Sequence, residues 1–312
     1  MLDVRRLRLL RELAHRGTIA AVARALAFTP SAVSQQLSAL EREAGVPLLE
    51  RTGRRVVLTP AGLSLVRHAE AVLDRLEQAA AELAQSREGL AGALRIGTFA
   101  TAGRTVIPAA LRTLARHHPG LEPMVLEIDP ADVADALRAG ELDVALIHGY
   151  DFADGPVHRV LSTEPLCAEA MYLASAADSG HTAAERVENP DTAAIAACRD
   201  LPWITATRGT LCRRMTVRHC EAAGFTPHVR HEIDDFPTVL ALVAAGQGVA
   251  LVPELALTGP PPGIVLTRTP LRRRTKIAYR SGAAHHPAVS AITAALRSAL
   301  PTPLVAEPEP QP

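Results

Sequence analysis

The chain has 312 residues, 48% of them hydrophobic, which points to two or three domains with sizeable cores and excludes global disorder. Aromatic residues make up 3% of it, too few for the stacking platforms of a single-strand nucleic-acid binder. Its 33 basic and 33 acidic side chains cancel, but residues 1–67 hold 11 Arg against five acids, and that excess is the electrostatic footprint of a polyanion contact.

Three short helices are predicted first. Leu7, Leu10 and Leu13 recur at helical spacing and stop at Gly17. Thr18 can cap a second helix with the apolar stripe Ile19, Val22, Ala23 and Leu26, and Thr29-Pro30 opens a third. The third carries its core stripe on Val33, Leu37, Leu40 and Ala44. At 100° per residue Ser31, Ser34, Gln35 and Ser38 fall nearly opposite that stripe. A merely solvated helix face is usually built from charged pairs; this one is short and uncharged, with Arg51, Arg54 and Arg55 beside it. Short hydroxyls and amides can approach base edges, Gln can pair with adenine, and Arg attracts phosphate whatever the sequence. Two extended arms, at 48–51 and 56–58, then read as a wing around Thr52-Gly53-Arg54-Arg55.

A long helix is predicted from Thr59-Pro60 to about Arg87. Leu65, Ala69, Val72, Leu76, Ala79 and Leu83 form a heptad seam that one helix cannot bury alone, so a dimerisation helix is expected. Beyond a hinge at Gly89 and Gly92, strands alternate with helices: "ALRIGT", then "GRTVIPAALRTLARHHPG", "PMVLEI", "ADVADALRAG" and "LDVALI". These read as parallel βαβ units. A second α/β block follows from about Glu164, and the strand "RTKIAYR" with the helix "PAVSAITAALRSAL" is expected to rejoin the first block. The expected division is 1–59, 60–88 and 93–300, the last as two lobes (93–163 with 269–300, and 164–268), with 301–312 as a disordered tail.

The stretch "LRLLRELAHRGTIAAVARALAFTPSAVSQQLSALEREAGVPLLERTGRRVVLTPAG" resembles the winged helix-turn-helix domain of LysR-type transcriptional regulators over nearly all of residues 2–62. Departures are small: Gly17-Thr18 stands for the usual Gly-Ser cap, Leu48-Leu49 for Leu-Phe, and Gln35 stands where Arg is often found. "LRIGTFATAGRTVIPAALRTLARHHPGLEPMVLEI", "ELDVALI" and "LVAAGQGVALVP" follow the family's effector-binding domain more loosely, to about residue 300. The resemblance implies an α/β protein: a winged helix-turn-helix, a linker helix, and a two-lobed body like a periplasmic ligand-binding fold. It also implies a homodimer or homotetramer on promoter DNA, with a small-molecule effector between the lobes. Pro30, Ser31, Ser34 and Gln35 would then meet base edges, and Thr18, Ser38, Arg51, Arg54 and Arg55 the backbone.

The same resemblance sets the effector against the loop "TFATAG", with Thr98 and Thr101 as hydroxyl donors, and against "TATRGT" with Thr205, Thr207 and Arg208. Tyr150 and Asp151 would lie near the crossover, and Asp234-Asp235 at a helix start, where capping alone would also explain them. Arg208 is the expected partner of an anionic effector, because guanidinium matches carboxylate geometry. Cys212 and Cys220 raise a redox-responsive alternative; on one helix they would lie about 12 Å apart, beyond the roughly 7 Å a disulfide allows.

No P-loop, GxGxxG, HExxH or GxSxG motif supports an enzyme, and the four cysteines show no metal-ligand spacing, so neither catalysis nor a cofactor or metal is expected. His117-His118 and His285-His286 are neighbours in sequence that would point apart on a helix. Neither a signal peptide nor an apolar run of ~20 residues is evident, so no membrane partner and a cytoplasmic location are expected. A transport-type binding protein leaves residues 1–88 unexplained, and an architectural DNA binder leaves the body unused.

Overall fold

The computed structural model describes residues 1–52, 55–85, 89–151, 161–177, 190–301 and 304. Its first unit comprises α1 (Val4–Arg16), α2 (Ile19–Ala25) and α3 (Pro30–Ala44), followed by the antiparallel pair β1 (Leu49–Thr52) and β2 (Arg55–Leu58). Asp3, Thr18 and Thr29 each accept a hydrogen bond from a backbone N–H of the first turn, which satisfies one orphan donor of each helix. Gly17 and Gly45 end α1 and α3 at φ 73° and 69°, a left-handed conformation that costs glycine little. Leu7, Leu10 and Leu13 of α1 close one core with Val22, Val33, Leu37, Leu40 and Leu48.

The long helix α4 (Pro60–Gln85) begins in that core through Val66 and Ala69. Gly62 allows the approach, since a Cβ there would stand 2.2 Å from the Leu48 carbonyl oxygen. The predicted seam is divided in the single chain: Ala69 is buried, whereas Val72, Leu76 and Leu83 are exposed. Further along, α4 lies against the turn Ser281–Ala283, where Gly282 faces Asp74 and Glu77 without room for a side chain.

The body follows as β3 (Ala91–Thr98), α5 (Ala100–Thr105), α6 (Ile107–His117), β4 (Gly120–Glu127), α7 (Val133–Ala139) and β5 (Val144–Tyr150). Then come β6 (Leu161–Ala176), α8 (Pro190–Ala196), β7 (Pro202–Thr205), α9 (Leu211–Ala222), β8 (His228–Glu232), α10 (Phe236–Ala244), β9 (Ala250–Pro253), β10 (Ile264–Arg280) and α11 (Pro287–Ser298). The single helix expected over 103–120 is two: Pro108 in the first turn of α6 would clash with the carbonyl four residues back, so the chain breaks at Val106 and restarts.

β3 pairs in parallel with β4 and β5, as the βαβ reading requires. Parallel pairing does not extend across the sheet, whose order is β4-β3-β5-β10-β6-β9. β10 runs antiparallel to both β5 and β6, and β9 antiparallel to β6. The strand expected at 274–280 belongs to a 17-residue β10, matched by the 16-residue β6. These two strands carry the chain between lobes: Leu166 and Cys167 of β6 enter one core with Ile96 and Ile277, and Met171 and Leu173 enter another with Trp203 and Met215. The β10–β6 register shifts between Arg268 and Arg272, where Pro270 lacks the N–H a ladder needs. In the second lobe β7 pairs with β8, and Trp203 bridges Val249 beside β9.

Candidate DNA interface and effector cleft

On α3, Pro30, Ser31, Ser34, Gln35 and Ser38 are all exposed, while Val33, Leu37 and Leu40 are buried behind them. Arg6, Gln36 and Arg42, which sequence reasoning left out, share one open groove with Ser31, Ser34, Gln35 and Ser38. Arg6 is aimed by two partners: its Nε donates to Gln36 Oε1 at 2.9 Å and its Nη1 pairs with Glu43. The sequence signal for Gln36 was available, since it lies one position from Gln35. Thr18 and Thr29 act as caps, and the Ser31 hydroxyl lies 3.0 Å from that of Thr29. Arg51 is exposed on β1, the backbone of Arg55 pairs with Thr52, and Arg54 lies outside the described residues.

The opposite side of this unit docks on α7. Arg8 Nη2 donates to the carbonyl of Ala139 at 2.5 Å, and Arg11 Nη2 to that of Arg138 at 3.1 Å. Arg16 reaches Asp135 Oδ2 at 3.4 Å, and Asp135 also pairs with Arg138. From the other side Arg280 Nη1 donates to the carbonyls of Leu137 at 2.8 Å and Leu142 at 2.6 Å while its Nε pairs with Glu77 of α4. The C-terminal carbonyls of a helix lack partners within it and carry its negative end, and arginines answer both needs. Glu12, fully buried, is held between Arg11 and Arg16 at 3.1 and 2.9 Å.

A cavity of about 340 Å³ lies between the lobes. Its walls come from the start of α5, the segment 127–130 leading into α7, the loop after β7, and the first turns of α9. Thr101 and Thr205 stand on the wall. Beneath them Arg273, almost wholly buried, donates from Nε to Glu169 Oε1 at 2.7 Å and from Nη2 to Thr101 Oγ1 at 2.8 Å. The other carboxylate oxygen of Glu169 accepts from the backbone N–H of Leu255 at 2.7 Å. The Arg273 guanidinium also lies over the Phe99 ring, 5.0 Å from its centre. Arg273 and Glu169 escaped sequence reasoning. Strand alternation in "LRRRTK" held part of the signal, because it sets Arg273 on the face opposite Arg272 and Arg274.

His148 lines the same cavity, edge-on to Phe99 and to Tyr150 with ring centres 4.8 and 5.6 Å away. Burial, reinforced by the Arg273 charge, holds its imidazole well below the ordinary 6.5, so it is neutral. Tyr150 is buried behind the wall, its hydroxyl 3.1 Å from the Cys212 sulfur, which does line the cavity. Burial pushes the Cys212 thiol up, against the Tyr150 hydrogen bond and the Arg273 charge. Cys220 is buried in the core at the far end of the same unbroken helix.

Of the remaining expected contacts, Thr98, Asp151, Arg208 and Asp235 lie off the wall. Thr98 is buried and donates to the Phe99 carbonyl. Asp235 caps α10 through the Thr238 N–H at 3.0 Å and lies 3.9 Å from Arg104 across the lobes. Arg208, with its side chain 85% exposed, turns outward to Glu232 at 3.3 Å. Thr207 is on the wall, where its N–H and hydroxyl both donate to Asp234. Asp151 pairs with Arg274. Among the described residues no cluster of ligating side chains could hold a metal, and no helix is long and apolar enough to cross a membrane.

Comparison with known proteins matches residues 4–63 to the bacterial regulatory helix-turn-helix of the lysR family, and residues 87–301 to the LysR substrate binding domain. The chain therefore belongs to the LysR family of transcriptional regulators, with a helix-turn-helix and an effector-binding domain. It is 32% identical over 245 residues to the probable hydrogen peroxide-inducible genes activator of Mycobacterium avium, covering 78% of this chain and 75% of that one. Among solved structures it is similar to a hydrogen peroxide-bound mutant of Corynebacterium glutamicum OxyR (26% identity, TM-score 0.58, 96% and 92% of the two chains). A full-length OxyR mutant from Pseudomonas aeruginosa shares the fold with TM-score 0.66 at 24% identity, over 100% and 99% of the chains.

Proposed function

We propose that this regulator reads promoter DNA with α3 and that an effector in the interlobe cleft sets its affinity or spacing on that DNA. One observation carries the DNA reading: the short uncharged face of α3 is wholly exposed while the opposite stripe is buried. Pro30, Ser31, Ser34 and Gln35 meet base edges, and Thr18, Ser38, Arg51, Arg54 and Arg55 meet the backbone. Two copies pair through the exposed seam of α4, which presents two reading heads to a two-fold site. Residues 1–59, 60–88 and 93–300 are the reading, linking and sensing units, and the protein works as a binding protein in the cytoplasm rather than as an enzyme.

In the cleft, Thr101 and Thr205 meet the effector, and Tyr150 acts through Cys212. Thr98, Arg208 and Asp235 shape the loops around it. α7 is the path outward: residues 127–130 line the cavity, the first turn of the helix they lead into meets Arg16 through Asp135, and its last turn ends on Arg8 and Arg11 of α1. An effector that moves one end biases how the reading unit docks at the other. The test is fluorescence anisotropy on DNA flanking the gene against scrambled DNA, across a salt series. Site preference with a steep salt slope supports the reading; equal weak binding to both sequences goes against it.

A second reading, a response to peroxide through Cys212, is favoured by that thiol's place on the cavity wall and by the name of the Mycobacterium avium relative. The thiol would give sulfenic acid as hydrogen peroxide is reduced to water. Its raised pKa makes this slow, and Cys220 lies too far along α9 to close a disulfide without unwinding. Mass spectrometry after stoichiometric peroxide, with Cys212→Ser as control, decides it: no added oxygen at Cys212 removes this reading.

A further inference from the structure

The cavity's charge and an unpaired imidazole nitrogen among the described residues narrow the chemistry of what it holds, on the reading that the cleft is the effector site. Among the described residues lining it Arg273 is the sole cation, and its charge is already matched by Glu169 at 2.7 Å. Around the mouth stand three carboxylates, Glu127, Asp129 and Asp234. Nearby Arg213 is engaged elsewhere, donating to Thr205 at 2.6 Å and to Glu232 at 3.1 Å. An anionic ligand would thus add an unmatched negative charge to a floor that is neutral in sum, and a desolvated charge without a partner is costly.

His148 supplies the second observation. It is 6% exposed and lines the cavity, and its Nδ1 has no hydrogen-bond partner among the described residues. A neutral imidazole carries one donor and one acceptor nitrogen, and buried polar atoms are rarely left unpaired. The Thr101 hydroxyl, which accepts from Arg273, keeps its proton free to donate.

We infer that this cleft selects an uncharged, hydrogen-bonding effector and that His148 is the residue that discriminates it. The ligand presents both an acceptor and a donor, as a carboxamide or an alcohol does. Arg273 serves as a charge-neutral anchor for Thr101 rather than as a clamp for a carboxylate.

The test uses the full-length protein and matched probe sets sharing one carbon skeleton, such as cyclohexanecarboxamide, cyclohexanecarboxylate and cyclohexylmethylammonium, with several skeletons of similar size. Thermal shift at equal concentration reads binding. The carboxamides are expected to raise Tm most. His148→Leu should abolish that rise and His148→Gln, which keeps a donor and an acceptor, should restore part of it. Glu169→Gln leaves the floor positive and should shift preference toward the carboxylates by about tenfold, a gain that a purely structural role would not produce. Carboxylates or ammonium ions stabilising the wild type best, or carboxamide shifts indifferent to His148→Leu, would overturn the inference. So would a panel in which no member raises Tm. DNA anisotropy on the same preparations reports the regulator reading separately, because site-preferring DNA binding survives every one of these outcomes.

Discussion

Arg16 of α1 and Asp135 of α7 meet at 3.4 Å, joining the DNA-reading unit to the body across 119 positions of sequence. Behind this pair Arg11 and Glu12 are buried, and Arg11 also holds the Arg138 carbonyl. Asp135 stands in the first turn of α7, on the side led in from the cavity, while Arg8 and Arg11 hold the carbonyls of Ala139 and Arg138 in its last turn, so α7 is a short strut fixed along its length under the reading unit.

Arg11→Ala should therefore cost about 2–3 kcal/mol in urea unfolding, because fully buried Glu12 loses one of its two arginine partners and a helix carbonyl loses its donor. Amide exchange should rise selectively at the last turn of α7. A change spread evenly over the body would mean that α1 does not brace this helix.

Gln35→Ala should relax base preference by about 1–3 kcal/mol at a single base pair, whereas Arg51→Ala should weaken all sequences alike and lower the salt slope by about one. Competition binding against a library of single-base variants distinguishes the two patterns. Unchanged preference in Gln35→Ala would remove α3 from the base-reading role.

Leu76 and Leu83 on α4 are 50% and 70% exposed in the single chain. Leu76→Arg should convert the protein to monomer in light scattering and reduce DNA affinity through loss of the paired site. Unaltered mass would place the interface elsewhere.

His148 is held well below the ordinary 6.5 by burial and by Arg273, and burial brings His219 down to about 4. As pH falls through 6.5 the unfolded chain takes up protons at these imidazoles and the folded chain does not. Stability is thus complete above that value and declines toward the folded pKa values, so Tm should drop between about pH 7 and 5, before most carboxylates titrate. His219→Asn should flatten the decline; an identical slope in that variant would contradict the assignment.

Short-range patterns carried much of the fold. Leu7, Leu10 and Leu13, the Thr29-Pro30 start, and the polar face opposite Val33 and Leu37 are set by helical period and capping alone, and α1, α3 and α4 form where that period runs. The strand at 274–280 was legible, but not its extension into a 17-residue partner of β6, because antiparallel pairing of strands this far apart leaves no local mark. Arg208 looked like an anion clamp because it sits in a polar loop at a helix start; side-chain direction, which no spacing records, sends it to Glu232.

What the sequence determined by itself is the helix-turn-helix unit and the exposed polar face of α3: Ser31, Ser34, Gln35 and Ser38 lie within a few residues of one another, so period and caps place them. What only the tertiary structure decided is the cleft. Arg273 lies 104 positions from Glu169 and 172 from Thr101 along their hydrogen bonds, and His148 comes from a third strand, β5. Their meeting depends on two long antiparallel strands folding back through both lobes, and each buried charge there is tolerated because the other answers it at hydrogen-bond distance.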